Sequence, residues 1–293
     1  MQGIREGFAI YKKNFIFIFK HPFTLIPFLL ALGASIFAGI YVNSVFDLDS
    51  LSIVQLLGLV YLLTIVSTFS ISVASLFILE LLEQHETTGK MRPLKALADM
   101  LTKDLWRALP IIIVWSIIDF IITLILAVFS ALRKNKNGRT TRPAGPLERA
   151  VRILQTTVRM GMMVIFTVIA WDDKGPKASF DEGMKVYKNS LATMLTGVGV
   201  SEITAIILIV PLILVQLLSK FVYIPIDIFL PATYIYLAVS WSIGKLIEQL
   251  YVSELYLWNI HYEKALENNE NITSIYDVRK PSFTDNSFDL LDQ

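Results

Sequence analysis

Ile53–Leu79, IVQLLGLVYLLTIVSTFSISVASLFIL, is the stretch that decides the fold class. None of its residues is aspartate, glutamate, lysine or arginine. A helix rises about 1.5 Å per residue, so about 20 apolar residues cross the roughly 30 Å of bilayer hydrocarbon. A soluble amphipathic helix would break such a run with polar positions at every turn. Working outward, five more runs read the same way: Phe23–Val42, Ala108–Leu132, Val158–Trp171, Leu191–Leu218 and Tyr223–Ile243. The expected fold is all-α, a polytopic integral membrane helical bundle of about six transmembrane helices.

Composition points the same way. Of 293 residues, 54% are hydrophobic and 17% charged, against about 25% charged in soluble domains. A net charge of +1 gives the chain no electrostatic footprint for nucleic acid. The absence of cysteine removes disulfides, thiolate metal sites and cysteine nucleophiles together. The first apolar run is too long for the core of a signal peptide and lacks a small-residue cleavage site, so it is expected to stay in the mature protein.

The segments between the runs carry their own pattern. Ile4, Phe8, Tyr11, Phe15 and Ile18 recur at helical spacing, with Arg5, Lys12 and Lys13 off that stripe, the signature of an interfacial amphipathic helix. Arg92-Pro93 opens a second, with Leu94, Leu97, Leu101 and Leu105 on one side and proline at the first helical position. A third is read from Ser179, which stands three residues before Glu182 as in a capping box and is followed by Phe180, Met184, Tyr187 and Leu191. Amphipathic helices are thus expected before spans one, three and five. The first and third share Glu, Gly, Tyr and Lys at matching places, Glu6-Gly7…Tyr11-Lys12 and Glu182-Gly183…Tyr187-Lys188. They read as an internal repeat, and parallel copies require an even number of spans between them.

Basic residues before spans one, three and five, set against the acidic 43–52 loop with Asp47 and Asp49, place both termini in the cytoplasm of a multi-pass cell-membrane protein. The run from Arg133 to Arg152, with seven basic residues counting both, then falls outside, against the positive-inside tendency. Leu147, Val151, Leu154 and Val158 follow helical spacing there and read as a surface-lying helix, a solvated face or a contact for anionic lipid. Asn135–Pro146 reads as a mobile loop. The membrane domain is expected to cover 1–262, with a flexible polar tail over 263–293.

Four ionisable residues fall at or near membrane depth: Asp119, Arg159, Glu202 and Asp227. Each would cost about 2.5–3.5 kcal/mol facing lipid at a helix centre, so each should face protein or water. Asp119 and Arg159 are placed to pair across neighbouring antiparallel helices. Glu202 follows Gly197-Val198-Gly199, where glycines permit close backbone approach, and Pro225 and Pro231 flank Asp227. Ala31, Ser35 and Gly39 form a small-residue face on the first span. Metalloprotease, nucleophile-elbow and Walker motifs are absent from the sequence. His21, His85 and His261 lie in separate segments, which argues against a metal site, and no cofactor is expected.

The residues Arg5…Tyr11-Lys12…Pro27-Phe28, Leu82-Glu83…Gly89-Lys90-Met91, Asp173-Lys174-Gly175-Pro176…Gly183…Tyr187-Lys188 and Glu254-Leu255-Tyr256-Leu257-Trp258 resemble an uncharacterised prokaryotic membrane family, domain of unknown function sixty-one fifty-nine. The likeness runs over residues 3–264 and implies a six-helix membrane protein without an assigned reaction. The polar tail and the basic central loop depart from it. A weaker similarity is to CysZ-type sulfate permeases, which also lead from an amphipathic segment into a proline-containing first span.

The function expected from these readings is a non-enzymatic assembly, scaffold or lipid-associated component. Its partners would be membrane lipids, anionic ones among them, and further membrane subunits or copies of itself. The alternative is a small-solute or ion transporter or channel built around Glu202, Asp119 and Arg159.

Overall fold

The structure, a computed structural model, describes residues 2–47, 50–133, 145–190, 193, 194, 196, 197, 199, 208–215, 226–268 and 278, with side chains from 9 in the first helix and from 229 in the last. Among these residues all regular structure is helical: α1 Gln2–Lys20, a short 3-10 turn Pro22–Leu25, α2 Ile26–Val45, α3 Ile53–Thr88, α4 Pro93–Asp99, α5 Leu105–Arg133, α6 Pro146–Asp172, α7 Pro176–Asn189 and α8 Ile226–Glu267. Among the described residues four stretches are long and apolar enough to cross a bilayer: Pro22–Val45, Ile53–Thr88, Pro93–Leu132 and Pro146–Asp172. These make the chain a membrane protein. Of the two further spans read from sequence, Leu191–Leu218 lies largely outside the described residues, and Tyr223–Ile243 enters the first half of α8.

Local chemistry sets the helix ends. Ser52 caps α3 through a reciprocal capping box with Gln55. Gly89 closes the same helix at φ 68° with its N–H on the His85 carbonyl, a left-handed position that suits glycine. Asp173 ends α6 at φ 53°, and Pro176 at the first helical position restarts the chain as α7.

Three readings are corrected here. Ser179 is not a cap: Gly175 caps α7, and the buried Ser179 hydroxyl donates to the Lys174 carbonyl at 3.2 Å. The surface helix read over 147–158 and the short span that follows it are one helix, α6, because no proline and only Gly161 interrupts Leu147–Asp172. The boundary read at residue 262 falls inside a helix, since α8 runs to Glu267 and Glu263 bridges Lys185 at 3.0 Å; of the expected tail, 269–277 and 279–293 lie outside the described residues. The helix expected to open at Pro93 is present, continuous with α5 through a π-helical turn, Met100–Asp104.

Burial is concentrated at one end of the bundle. Along α3 the early residues Ile53, Val54 and Leu62 are exposed, whereas Ile78, Leu79, Leu81 and Leu82 are buried. α6 buries Met160 to Ala170, and α8 buries Leu246 to Trp258 on nearly every face. α1 lies on α8 through Ile10, Tyr11, Phe17 and Ile18, which join Leu250, Tyr251, Leu255 and Trp258 in one apolar cluster. A second cluster, with Leu76, Leu79, Ile112, Trp115, Phe166 and Ile169, fills the space among α3, α5 and α6. The Trp171 indole N–H donates to the Leu79 carbonyl at 3.1 Å and Arg107 pairs with Asp173. The C-terminal ends of α3 and α6 therefore meet the start of α5 at the α1 end. Arg133 and Pro146 fall at the opposite end; residues 134–144 of the loop between them are outside the described residues.

α1 and α7, the helices that carry the matching Glu-Gly…Tyr-Lys stretches, both pack against α8 at this same end. In α7 Gly183 permits the approach of α6, because a Cβ there would stand 2.7 Å from Ile165 Cγ1. On α2 the small-residue face packs only in part: Ala31 is buried, while Gly39 has open space beside it among the described residues.

Candidate functional site

Charge that enters an apolar bundle must be neutralised in place, and three helices supply the means. On α6, Gln155 and Arg159 are one turn apart and share a face. Gln155 donates its amide to Asp119 Oδ1 on α5 at 2.9 Å, and Arg159 Nη2 donates to Glu248 Oε1 on α8 at 2.9 Å. One turn earlier on α8, Lys245 Nζ reaches the other oxygen of Glu248 at 3.0 Å and lies 5.9 Å above the Trp241 ring. The Glu248 side chain is 5% exposed, Lys245 12% and Arg159 24%. Two cations and two carboxylates thus gather among α5, α6 and α8, with formal charge balanced.

The ion pair read for Asp119 and Arg159 is formed differently. Arg159 takes Glu248, and Asp119 takes the neutral Gln155, because α6 packs against both α5 and α8 and its shared face reaches each of them. Glu202 lies outside the described residues. Asp227 belongs to the first turn of α8, and its side chain lies outside the described set. Sequence reasoning missed Gln155, Lys245 and Glu248. The signal available was that Leu246, Ile247, Leu250, Tyr251, Val252, Leu255, Tyr256 and Trp258 cover all sides of a helix, and a helix apolar all round is a buried one.

A second polar network closes the α1 end. Tyr256 donates its hydroxyl to Asp172 Oδ2 at 2.6 Å, Lys174 bridges the same oxygen at 2.7 Å, and Asn189 donates to Asn259 at 3.1 Å. Burial, and then the Asp172 carboxylate, hold the Tyr256 phenol above its ordinary range, so it remains a donor. Burial pulls Lys174 down, but its hydrogen bond to Asp172 and the charges of Asp172 and Glu182 outweigh this and leave it raised. A raised lysine stabilises the fold below its unfolded pKa, and that contribution is lost only as pH climbs through the folded value. With its amide oriented to satisfy both ends, Asn14 of α1 donates to Glu254 Oε1 and accepts from the Tyr251 N–H, each at 3.2 Å.

His21 and His85, distant in sequence, are brought together with ring centroids 5.3 Å apart. Burial and then the neighbouring Lys20 charge lower the His21 pKa. Among the described residues no group of three histidine or carboxylate side chains is placed to hold a metal ion.

Two apolar cavities lie among the described helices. One, of about 620 Å³, lies among the start of α2, the middle of α3 and α4, and the other, of about 290 Å³, among α5, α6 and α7. Neither is lined by Asp119, Arg159, Lys245 or Glu248. No family model, no curated protein and no solved structure matches this chain.

Proposed function

We propose that the protein is a non-enzymatic, lipid-associated scaffold of the cell membrane. In this reading six spans cross the bilayer, both termini lie in the cytoplasm, and α1, α4 and α7 lie along the cytoplasmic interface. One observation carries the reading. The charges at membrane depth close on neighbouring helices, Asp119 on Gln155 and Arg159 on Glu248, while the cavity next to them, lined by Ile118, Leu154 and Val158 among others, has apolar walls. A solute pathway instead needs ionisable groups facing a common watery space. The buried platform of α1, α3, α6 and α8 is the part built to hold its shape.

Two measurements test it. Vesicles containing the protein and a trapped pH-sensitive dye are expected to pass protons no faster than protein-free vesicles, with Glu202→Gln making no difference. A flux that Glu202→Gln abolishes would replace the scaffold with a transporter. For topology the cysteine-free chain is convenient: single cysteines at Asn137 and Lys185 are expected to take an impermeant maleimide from opposite sides. Labelling from one side would break the six-span arrangement.

A further inference from the structure

We infer that the groove among α2, α3 and α4 holds one acyl chain of an anionic phospholipid, whose headgroup is read by Lys20 and Arg92. The inference deepens the lipid-associated reading above and rests on it. The groove measures about 620 Å³, and apart from Ser70 every side chain that lines it is apolar, so it offers no partner to a polar ligand. Along α3 it extends from Leu81 to Phe69. Twelve residues of helix are about 18 Å, close to half of the roughly 30 Å hydrocarbon thickness, the depth of one leaflet. Ala31, Ala34 and Ala74 on its walls leave the width.

The charge lies at one end only. Phe23 and Pro93 border the groove where Leu81 ends it. Lys20 precedes Phe23 by three residues, and Arg92 immediately precedes Pro93. The Arg92 backbone N–H is tied to Gln84 Oε1 at 2.9 Å, one turn beyond Leu81. His21, next to Lys20, meets the ring of Phe23 edge-on at 6.1 Å and that of His85 at 5.3 Å. Lys20 and Arg92 are exposed, and neither has a carboxylate partner among the described residues. Trp106, near the start of α5, is exposed, and tryptophan is enriched at the membrane–water boundary. An anionic headgroup over an apolar slot one leaflet deep is the complement of this arrangement, whereas a wholly apolar helix in the groove would leave the two cations uncompensated.

Native mass spectrometry of the detergent-purified protein tests the assignment, with phosphatidylglycerol and phosphatidylcholine of identical chains supplied in equal amounts. Phosphatidylglycerol is expected to be retained preferentially. Lys20→Gln with Arg92→Gln should cut that retention about 25-fold, about fivefold for each basic group removed. Ala34→Phe, which fills the groove without touching a charge, should lower retention of both lipids. Equal retention of the two lipids, indifference to Ala34→Phe, or equal capture of sn-glycerol 3-phosphate without chains would each overturn the site. So would a disulfide-linked dimer formed in quantity by Leu97→Cys, which would put a second copy in the groove. Any of these without proton flux into the vesicles removes the lipid site alone, and a proton flux abolished by Glu202→Gln with lipid selectivity intact removes the scaffold alone.

Discussion

Replacing Glu248 with methionine is expected to destabilise the protein by about 3–5 kcal/mol, the usual consequence of stripping a buried charge of its partner. The methionine keeps the length of the side chain, so packing changes little. What changes is that Arg159 and Lys245, which both donate to Glu248, are left with their charges facing each other. Equilibrium unfolding in mixed micelles measures the loss. The control is the double variant Arg159→Met with Glu248→Met, expected to be more stable than Glu248→Met alone, because one of the two orphaned cations is then gone and Lys245 no longer faces a second positive charge. If the single and double variants unfold alike to within about 0.5 kcal/mol, the pair is solvent-screened as at a protein surface. The cluster would then be wet, and the transport reading would gain what the scaffold reading loses.

How this cluster escaped the sequence has a physical reason. Span limits are legible because hydrocarbon thickness fixes a length, and Ile53, Ala108 and Phe23 all fall within helices that are long and apolar enough to cross. The same rule stops at Ile243, so Lys245 and Glu248 read as the polar exit of a span. In the fold α8 continues past Ile243 and is buried from Leu246 to Asn259, about four turns, and its polar groups there are interior ones. Arg159 was legible as a residue needing a partner, because the cost of an unpaired charge is local. Its choice of Glu248 over Asp119 was not, because that depends on how α6 is rotated between two neighbours. The continuity of Leu147–Asp172 could have been read: nothing in that stretch ends a helix, and its arginines had drawn the boundary. Arg152 in fact bonds Glu148 one turn earlier on the same helix. The closeness of α8 to Gly197 was legible in kind, since glycine was expected to admit a neighbour. Which neighbour arrives is a matter of tertiary packing.

That neighbour is Tyr251, and Tyr251→Ala is expected to lose about 3–5 kcal/mol, as for other buried aromatic truncations. The side chain has no exposed surface. Its ring is 6.0 Å from that of Tyr11 on α1, its hydroxyl donates to the Thr193 carbonyl at 2.6 Å, and a Cβ on Gly197 would stand 2.9 Å from its Cδ1 and Cζ atoms. One residue therefore couples α1, α8 and the chain around Gly197. Tyr251→Phe keeps the ring and should cost only about 0.5–1.5 kcal/mol, the net worth of one hydrogen bond. Gly197→Ala is expected to be destabilising in the native background and much less so beside Tyr251→Leu, because the overlap needs the ring. The two changes would then be coupled by roughly 0.5–3 kcal/mol in a double-mutant cycle. Local opening should follow the same order. Lys12 on the outer side of α1 is exposed, and trypsin should cut there sooner in Tyr251→Ala than in Tyr251→Phe, as α1 leaves the platform before the bundle unfolds. If Tyr251→Phe matches Tyr251→Ala in both stability and cleavage, the hydroxyl bond to Thr193 rather than the packed ring holds α1 in place, and the apolar cluster on α8 is secondary to it.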